Sequence, residues 1–374
     1  MKFTTYRIFY ILVLITVAII TFAYTEIEPP IQNKSTTKKV KNIIFFIGDG
    51  MGLSEITAAS IVNGNFLNLE QFPVVGLVKT YSASHLITDS AAGATAYSTG
   101  HKTNNGSLAM DVNAKPLKTI MEMAEENKMA TGIVVTCTVT HATPAAFYGH
   151  QPTRSNVNEQ LASAFVNSGV DVLVGGGKKY FMERTDKHNL LDTLKKKGFN
   201  VIDSISEARN IHEGKLVCLM APEQPVSLLN GRKSYLPEAT AKAIELLKNN
   251  KEGFFLMVEG SQIDWGGHEN NSDYIIKETI EFDQAIAEAL KFAQLDSNTL
   301  IVVTADHETG GFSINGGSLE NKTVQSAFTT DYHTATMIPV FADGANAQEF
   351  AGVYDNTDIF YKFLKVLGWD IPNK

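Results

Sequence analysis

From Lys41 onward, short apolar, β-rich runs alternate with stretches of helical periodicity, and this alternation restricts the fold more than any other feature of the chain. The runs at 42–47, 132–138, 171–174, 216–220, 254–259, 299–304 and 337–341 are predicted strands. Between and after them, 116–127, 156–167, 237–249, 272–292 and 356–367 are predicted helices. Such a pattern builds an α/β protein on a mainly parallel sheet. No repeat or low-complexity tract interrupts it, so 41–374 reads as one domain.

The first residues follow different rules. Lys2 and Arg7 precede an apolar run from Ile8 to Tyr24, so 1–25 is expected to be a signal peptide or an N-terminal membrane anchor. Thr21-Phe22-Ala23 is the best cleavage candidate, and 26–40, with Pro29-Pro30, reads as a linker. In either case the body of the protein is expected outside the cytoplasm: periplasmic, secreted or membrane-anchored. A net charge of -8 with no Lys/Arg stripe argues against a nucleic-acid partner. The two cysteines, Cys137 and Cys218, lie in apolar strand-like runs. They are expected to be buried free thiols, too few for a Cys-based metal site.

Chemistry-bearing residues follow the apolar runs directly. IIFFIGDGMG ends in Asp49, VVTCTVTHATP in His141 and Thr143, FFLMVEGSQIDWGGH in Glu259, Asp264 and His268, and LIVVTADHETGG in Asp306 and His307. In open parallel sheets the carboxyl ends of the strands share one edge, where ligand crevices form. Four segments should therefore meet at one rim. Mixed His and carboxylate donors suit zinc, whereas carboxylates with a Thr hydroxyl suit magnesium.

Ser90 stands in TDSAAGATAYSTG, before a run of small residues that begins a helix whose free N–H groups favour an oxyanion. The plainer reading of Asp89-Ser90 is a helix cap. A serine needs a base or a metal to become a nucleophile, and no G-x-S-x-G elbow is present. Two cations about 4 Å apart activate such an oxygen and stabilise the leaving one. Arg154 is the candidate guanidinium fork for a transferring phosphoryl group.

Taken in order, GDGMG, TDSAAGATAYSTG, THATPAAFYGH with Arg154, VEGSQIDWGGH, TADHETGG and YHTATMIPVFA resemble the alkaline phosphatase family over almost all of the chain after Lys41. The resemblance implies a three-layer α/β/α sandwich and a broad phosphomonoesterase working through phosphoserine at Ser90, fastest at alkaline pH, scavenging phosphate outside the cytoplasm. It implies two zinc ions and one magnesium. Asp49, Ser90, Asp306 and His307 would form the activating zinc site, and Asp264, His268 and His333 the second. Thr143 and Glu259, with Asp49 as a bridge, would form the magnesium site, and Arg154 would clamp phosphate. A homodimer is implied by the resemblance alone.

Two departures stand out. His141 and Trp265 occupy positions where some bacterial relatives carry Asp and Lys, and an imidazole there opens the third site to zinc. Only 25 residues separate His307 from His333, so the crown insertion of the family is expected to be small or absent. An open, shallow site that recognises little beyond phosphate follows.

Overall fold

The computed structural model describes residues 39–370. The signal or anchor segment 1–25 and most of the linker 26–40 lie outside the described residues. No helix among the described residues is long and apolar enough to cross a membrane.

Fourteen strands occur among the described residues: β1 (Asn42–Gly48), β2 (Val74–Lys79), β3 (Ala130–Thr138), β4 (Val172–Gly176), β5 (Phe199–Ile202), β6 (Lys215–Leu219), β7 (Phe254–Gly260), β8 (Thr299–Thr304), β9 (Glu308–Thr309), β10 (Ser313–Ser318), β11 (Thr323–Ala327), β12 (His333–Thr334), β13 (Ile338–Gly344) and β14 (Gly352–Asp355). Ten of them form one sheet in the order β14-β2-β13-β8-β1-β7-β3-β4-β6-β5. Every neighbouring pair is parallel except those of β13, which runs against both β2 and β8. The central strands are apolar along their whole length because both faces are covered; β1, NIIFFIG, is buried at every position.

The helices that shape the site are α1 (Leu53–Val62), α2 (Ser90–Thr99), α3 (Ala142–Ala145), α4 (Leu236–Leu247), α5 (Ile263–His268), α6 (Ser272–Leu295) and α7 (Asp358–Leu367). Successive side chains of a strand point to opposite faces. Phe45 packs edge-on against Tyr97 of α2 at 5.5 Å and Phe363 of α7 at 5.1 Å, while Phe46 meets Phe282 of α6 at 5.7 Å. Helices therefore cover both faces, and the molecule is a three-layer α/β/α sandwich. The chain between His307 and His333 contributes only the two-residue strand β9 and the β10–β11 hairpin, so the crown is small.

One predicted helix, 116–127, is shorter in the structure, spanning Ile120–Glu126. Thr119 and Glu122 set its start: the Thr119 hydroxyl accepts from Glu122 N at 3.1 Å and the Glu122 carboxylate accepts from Thr119 N at 2.8 Å.

Candidate active site

Strand register delivers the site. In the β1–β8 ladder Ile47 pairs with Thr304, so two residues further along each strand Asp49 and Asp306 stand level. Glu259 pairs with Ile47 on one side and Val135 on the other. The reversed strand supplies the last piece. Because β13 is antiparallel to β8, its beginning lies at the rim where the parallel strands end, and His333, just ahead of it, arrives beside Asp306-His307. Close approach needs small residues here. Gly50 has φ +76°, and a Cβ on it would meet Asp264 Cα at 2.6 Å.

Ser90 is the first residue of α2, and Asp89 is its cap, accepting from Ala92 N at 3.0 Å. The cap is thus Asp89, and the Ser90 side chain is not used for capping. Gly93 faces Asp306, whose Cβ would lie 3.0 Å from an added methyl group, so the small-residue run lets α2 sit against the loop after β8. Arg154 is no free surface residue. Its Nη2 lies 3.0 Å from His141 Nε2 and its Nη1 3.6 Å from Asp89 Oδ2, which places the guanidinium over the N-terminus of α2.

Three donor atoms, Asp264 Oδ1, His268 Nε2 and His333 Nε2, form a triangle with edges of 3.2, 3.3 and 3.5 Å. Zinc with bonds of 2.0–2.1 Å in tetrahedral geometry holds its ligands about 3.3 Å apart. The imidazoles are oriented for this. His268 Nδ1 faces Asp331 O at 2.7 Å and His333 Nδ1 faces Thr88 O at 2.9 Å. Carbonyl oxygens only accept, so each Nδ1 carries a proton and each Nε2 points inward.

A second cluster surrounds His307 Nε2, with Asp306 Oδ2 at 3.2 Å, Ser90 Oγ at 3.4 Å and Asp49 Oδ1 at 3.6 Å. Asp49 Oδ1, Asp306 Oδ2 and, nearby, Glu259 Oε1 are buried without a hydrogen-bond partner. Buried polar atoms are normally paired, and orphans of one sign in one place mark a missing positive charge. The ionisation behaviour agrees. Burial, with Asp306, Asp264 and Glu259 nearby, holds the Asp49 carboxyl well above its ordinary range. Burial likewise pushes Glu259 up to about 7. His268, bonded to Asp264, is raised to about 9, whereas burial and His307 lower His333. Burial and Arg154 drive His141 down to about 3.

The third group lies on the other side of Asp49. The Thr143 hydroxyl donates to Asp49 Oδ2 at 3.4 Å. His141 and Trp265 touch edge to face at 6.1 Å, so Trp265 packs beside this group. Cys137 and Cys218 are buried free thiols, as expected, and Cys137 Sγ lies 3.5 Å from Glu259 Oε2. Sequence reasoning passed over Thr309, whose hydroxyl donates to Asp264 Oδ1 at 2.5 Å and faces His307 Nδ1 at 3.2 Å. A cavity of about 640 Å³ at the ends of β5 and β6, lined by Asp203, Arg209 and Tyr235 among others, contains none of these residues. A phosphate-sized site open to solvent needs no such depth.

A family model described as alkaline phosphatase matches residues 40–326. Alkaline phosphatase 3 of Bacillus subtilis is 33% identical, over 91% of this chain and 92% of its own length. The alkaline phosphatase of Escherichia coli is 32% identical, over 90% of this chain and 88% of its own length. The solved alkaline phosphatase of the Antarctic bacterium TAB5 is similar with a TM-score of 0.84 at 41% identity, covering 90% of this chain and all of that one. Likeness of this extent, carried by sequence and fold together, means that the chain belongs to the alkaline phosphatase family and is a phosphomonoesterase.

Proposed function

We propose that the protein hydrolyses a broad range of phosphate monoesters outside the cytoplasm by double displacement through a phosphoserine at Ser90. The observation that carries this reading is the pair of donor clusters flanking Ser90, each spaced for a divalent cation and one of them rich in orphaned carboxylate oxygens. Asp49, Ser90, Asp306 and His307 would hold one zinc ion, Asp264, His268 and His333 a second, and Asp49, Thr143 and Glu259 a magnesium ion. Variants of the Antarctic enzyme in which a histidine is replaced by Glu or Asp carry magnesium at the site called M3, which supports a magnesium-binding third position in this fold. Bound there, the cations favour the ionised serine and neutralise charge on the attacking and leaving oxygens.

The chain's own residues do the rest. Arg154 offers two parallel N–H groups to the phosphoryl oxygens, and the N-terminus of α2 adds its positive dipole end. Ser90 Oγ, buried at the start of a helix, is fixed for in-line attack on phosphorus. The alcohol leaves on the opposite side, toward Asp264, His268 and His333. Water entering from that side then cleaves phosphoserine, phosphate departs, and Ser90 regains its proton.

Residues 1–25 would direct the protein across the membrane or anchor it there, and 41–374 would act as one catalytic domain in a homodimer. The test is hydrolysis of a chromogenic phosphomonoester at about pH 9, where a metal-bound water is largely ionised, before and after chelation. Loss on chelation, with rescue by zinc and a further gain with magnesium, is the expected result. Undiminished turnover in the metal-free protein would overturn the reading.

A further inference from the structure

Tyr332 has no part in the mechanism above, yet its ring stands beside the second donor cluster. It stacks on His333 at a centroid distance of 4.4 Å with 6° between the planes, and His307 stacks on the same imidazole at 3.5 Å and 15°. Two rings this close and this parallel to one imidazole must lie on its opposite faces, because on one face their atoms would overlap. The three rings thus run outward from His307, which is fully buried, to Tyr332, which is 45% exposed. One face of Tyr332 is covered by His333 and the other is left for a ligand.

The backbone on either side holds this ring where it is. Tyr332 O accepts from Gly310 N at 2.9 Å, and Tyr332 N donates to the Thr330 hydroxyl at 3.1 Å. Asp331 O, one residue earlier, orients His268, whose ring lies 6.0 Å from that of Tyr332. Burial, and after it the charge of Asp89, raises the Tyr332 hydroxyl above its ordinary range, with Arg154 opposing. The ring therefore stands within electrostatic reach of the phosphate clamp as well as against two imidazoles of the second donor cluster.

We propose that Tyr332 sets the leaving-group preference: its outer face stacks on the organic part of the alcohol, so that phosphate monoesters whose alcohol carries a planar aromatic or heteroaromatic ring, nucleoside monophosphates among them, are favoured. The inference rests on the phosphatase reading and deepens it by naming the substrate class. With phosphorus between Ser90 and Arg154, the leaving oxygen lies toward Asp264, His268 and His333. Whatever that oxygen carries extends past the two imidazoles, and Tyr332 is the ring packed against both of them. A flat group gains dispersion and offset stacking there, which an open site otherwise lacks.

Adenosine 5′-monophosphate and ribose 5-phosphate present the same primary ester and differ in the base, so the ratio of their kcat/KM values isolates contact with that ring. In the metal-loaded protein the nucleotide should be favoured by about three- to tenfold. Tyr332→Leu keeps an apolar cover over His333 but loses the flat face, and should bring the ratio close to one; Tyr332→Phe should keep it. If Tyr332 only shields His333 from water, both substrates fall together in Tyr332→Leu and the ratio holds. That result, equal kcat/KM for the two esters in the unmodified protein, or a ratio lost in Tyr332→Phe would overturn this inference and leave the phosphatase reading standing. Should Tyr332→Leu not fold, the ratios in the unmodified protein and in Tyr332→Phe decide alone. Hydrolysis of neither ester would overturn both.

Discussion

Ser90 Oγ lies 3.4 Å from His307 Nε2, the same ring nitrogen that faces Asp306 Oδ2 at 3.2 Å and Asp49 Oδ1 at 3.6 Å. In a Ser-His-Asp triad the carboxylate orients the histidine through its other nitrogen. Here His307 Nδ1 faces the Thr309 hydroxyl instead, at 3.2 Å. Serine, two carboxylates and one imidazole nitrogen crowded about one point suit a shared cation rather than a proton relay.

Ser90→Ala should therefore lower turnover by at least about a hundredfold, because it removes the nucleophile itself. Asp49, Asp306 and His307 remain, so the variant should still bind its metals, and Asp89 still caps α2. Metal content and initial rate, measured on the same preparation, check both halves of the statement.

Arg154→Lys should weaken competitive inhibition by inorganic phosphate by about tenfold or more. A lysine keeps the charge and loses the two-pronged geometry. The guanidinium is held by His141 and Asp89, so a shorter, single-point cation also loses its aim. An unchanged inhibition constant would mean that Arg154 does not touch phosphate.

Arg232 is buried between Glu278 and Glu281, and Glu281 Oε1 also accepts from Tyr235 N at 2.8 Å. The same loop braces the end of β3: Tyr235 Oη donates to Val135 O at 2.9 Å and Gln224 Oε1 accepts from Thr138 N at 2.7 Å. Arg232→Ala would leave two buried carboxylates without their partner and should cost about 3–5 kcal/mol. Urea unfolding of the metal-loaded variant measures it.

Glu125 gives a pH dependence separate from the metal site. Burial raises its carboxyl from 4.5 to about 7, even though it accepts from Gly169 N at 3.1 Å. A carboxyl that is easier to protonate when folded contributes stability below pH 4.5 and loses it as pH rises toward 7. Glu125→Gln should therefore gain on the unmodified protein in going from pH 5 to pH 8, by about 1 kcal/mol, since partial exposure screens the charge. Denaturant midpoints of both proteins at the two pH values test this.

The parts of this account that depend on local pattern were legible in the sequence. Continuous apolar runs such as NIIFFIG mark strands buried on both faces, and a polar residue directly after one must sit at the sheet's edge. Asp49 and Asp306 follow from that rule, and Glu259 is the one polar residue at the end of the buried run of β7. Long-range pairing was not legible. Nothing local shows that β13 runs backwards, which is why His333 came from family resemblance and not from the rim argument. Of the strands of the large sheet, Phe199–Ile202 and Gly352–Asp355 were missed because they are only four residues long and form its two edges, and Val74–Lys79 because its residues alternate between buried and more exposed instead of forming a continuous apolar run. The carbonyls of Thr88 and Asp331 that orient His333 and His268 belong to backbone, which composition cannot mark. Cys137 beside Glu259 is a fact of register between β3 and β7, invisible until both strands are placed.

The most direct measurement traps the intermediate. The metal-loaded protein is mixed with a phosphomonoester carrying labelled phosphate, quenched in acid within a turnover, digested and mapped. The account predicts one phosphate per chain on the peptide that contains Ser90, and none there in Ser90→Ala. Rapid turnover with no label on that peptide, or label on another residue, would contradict it.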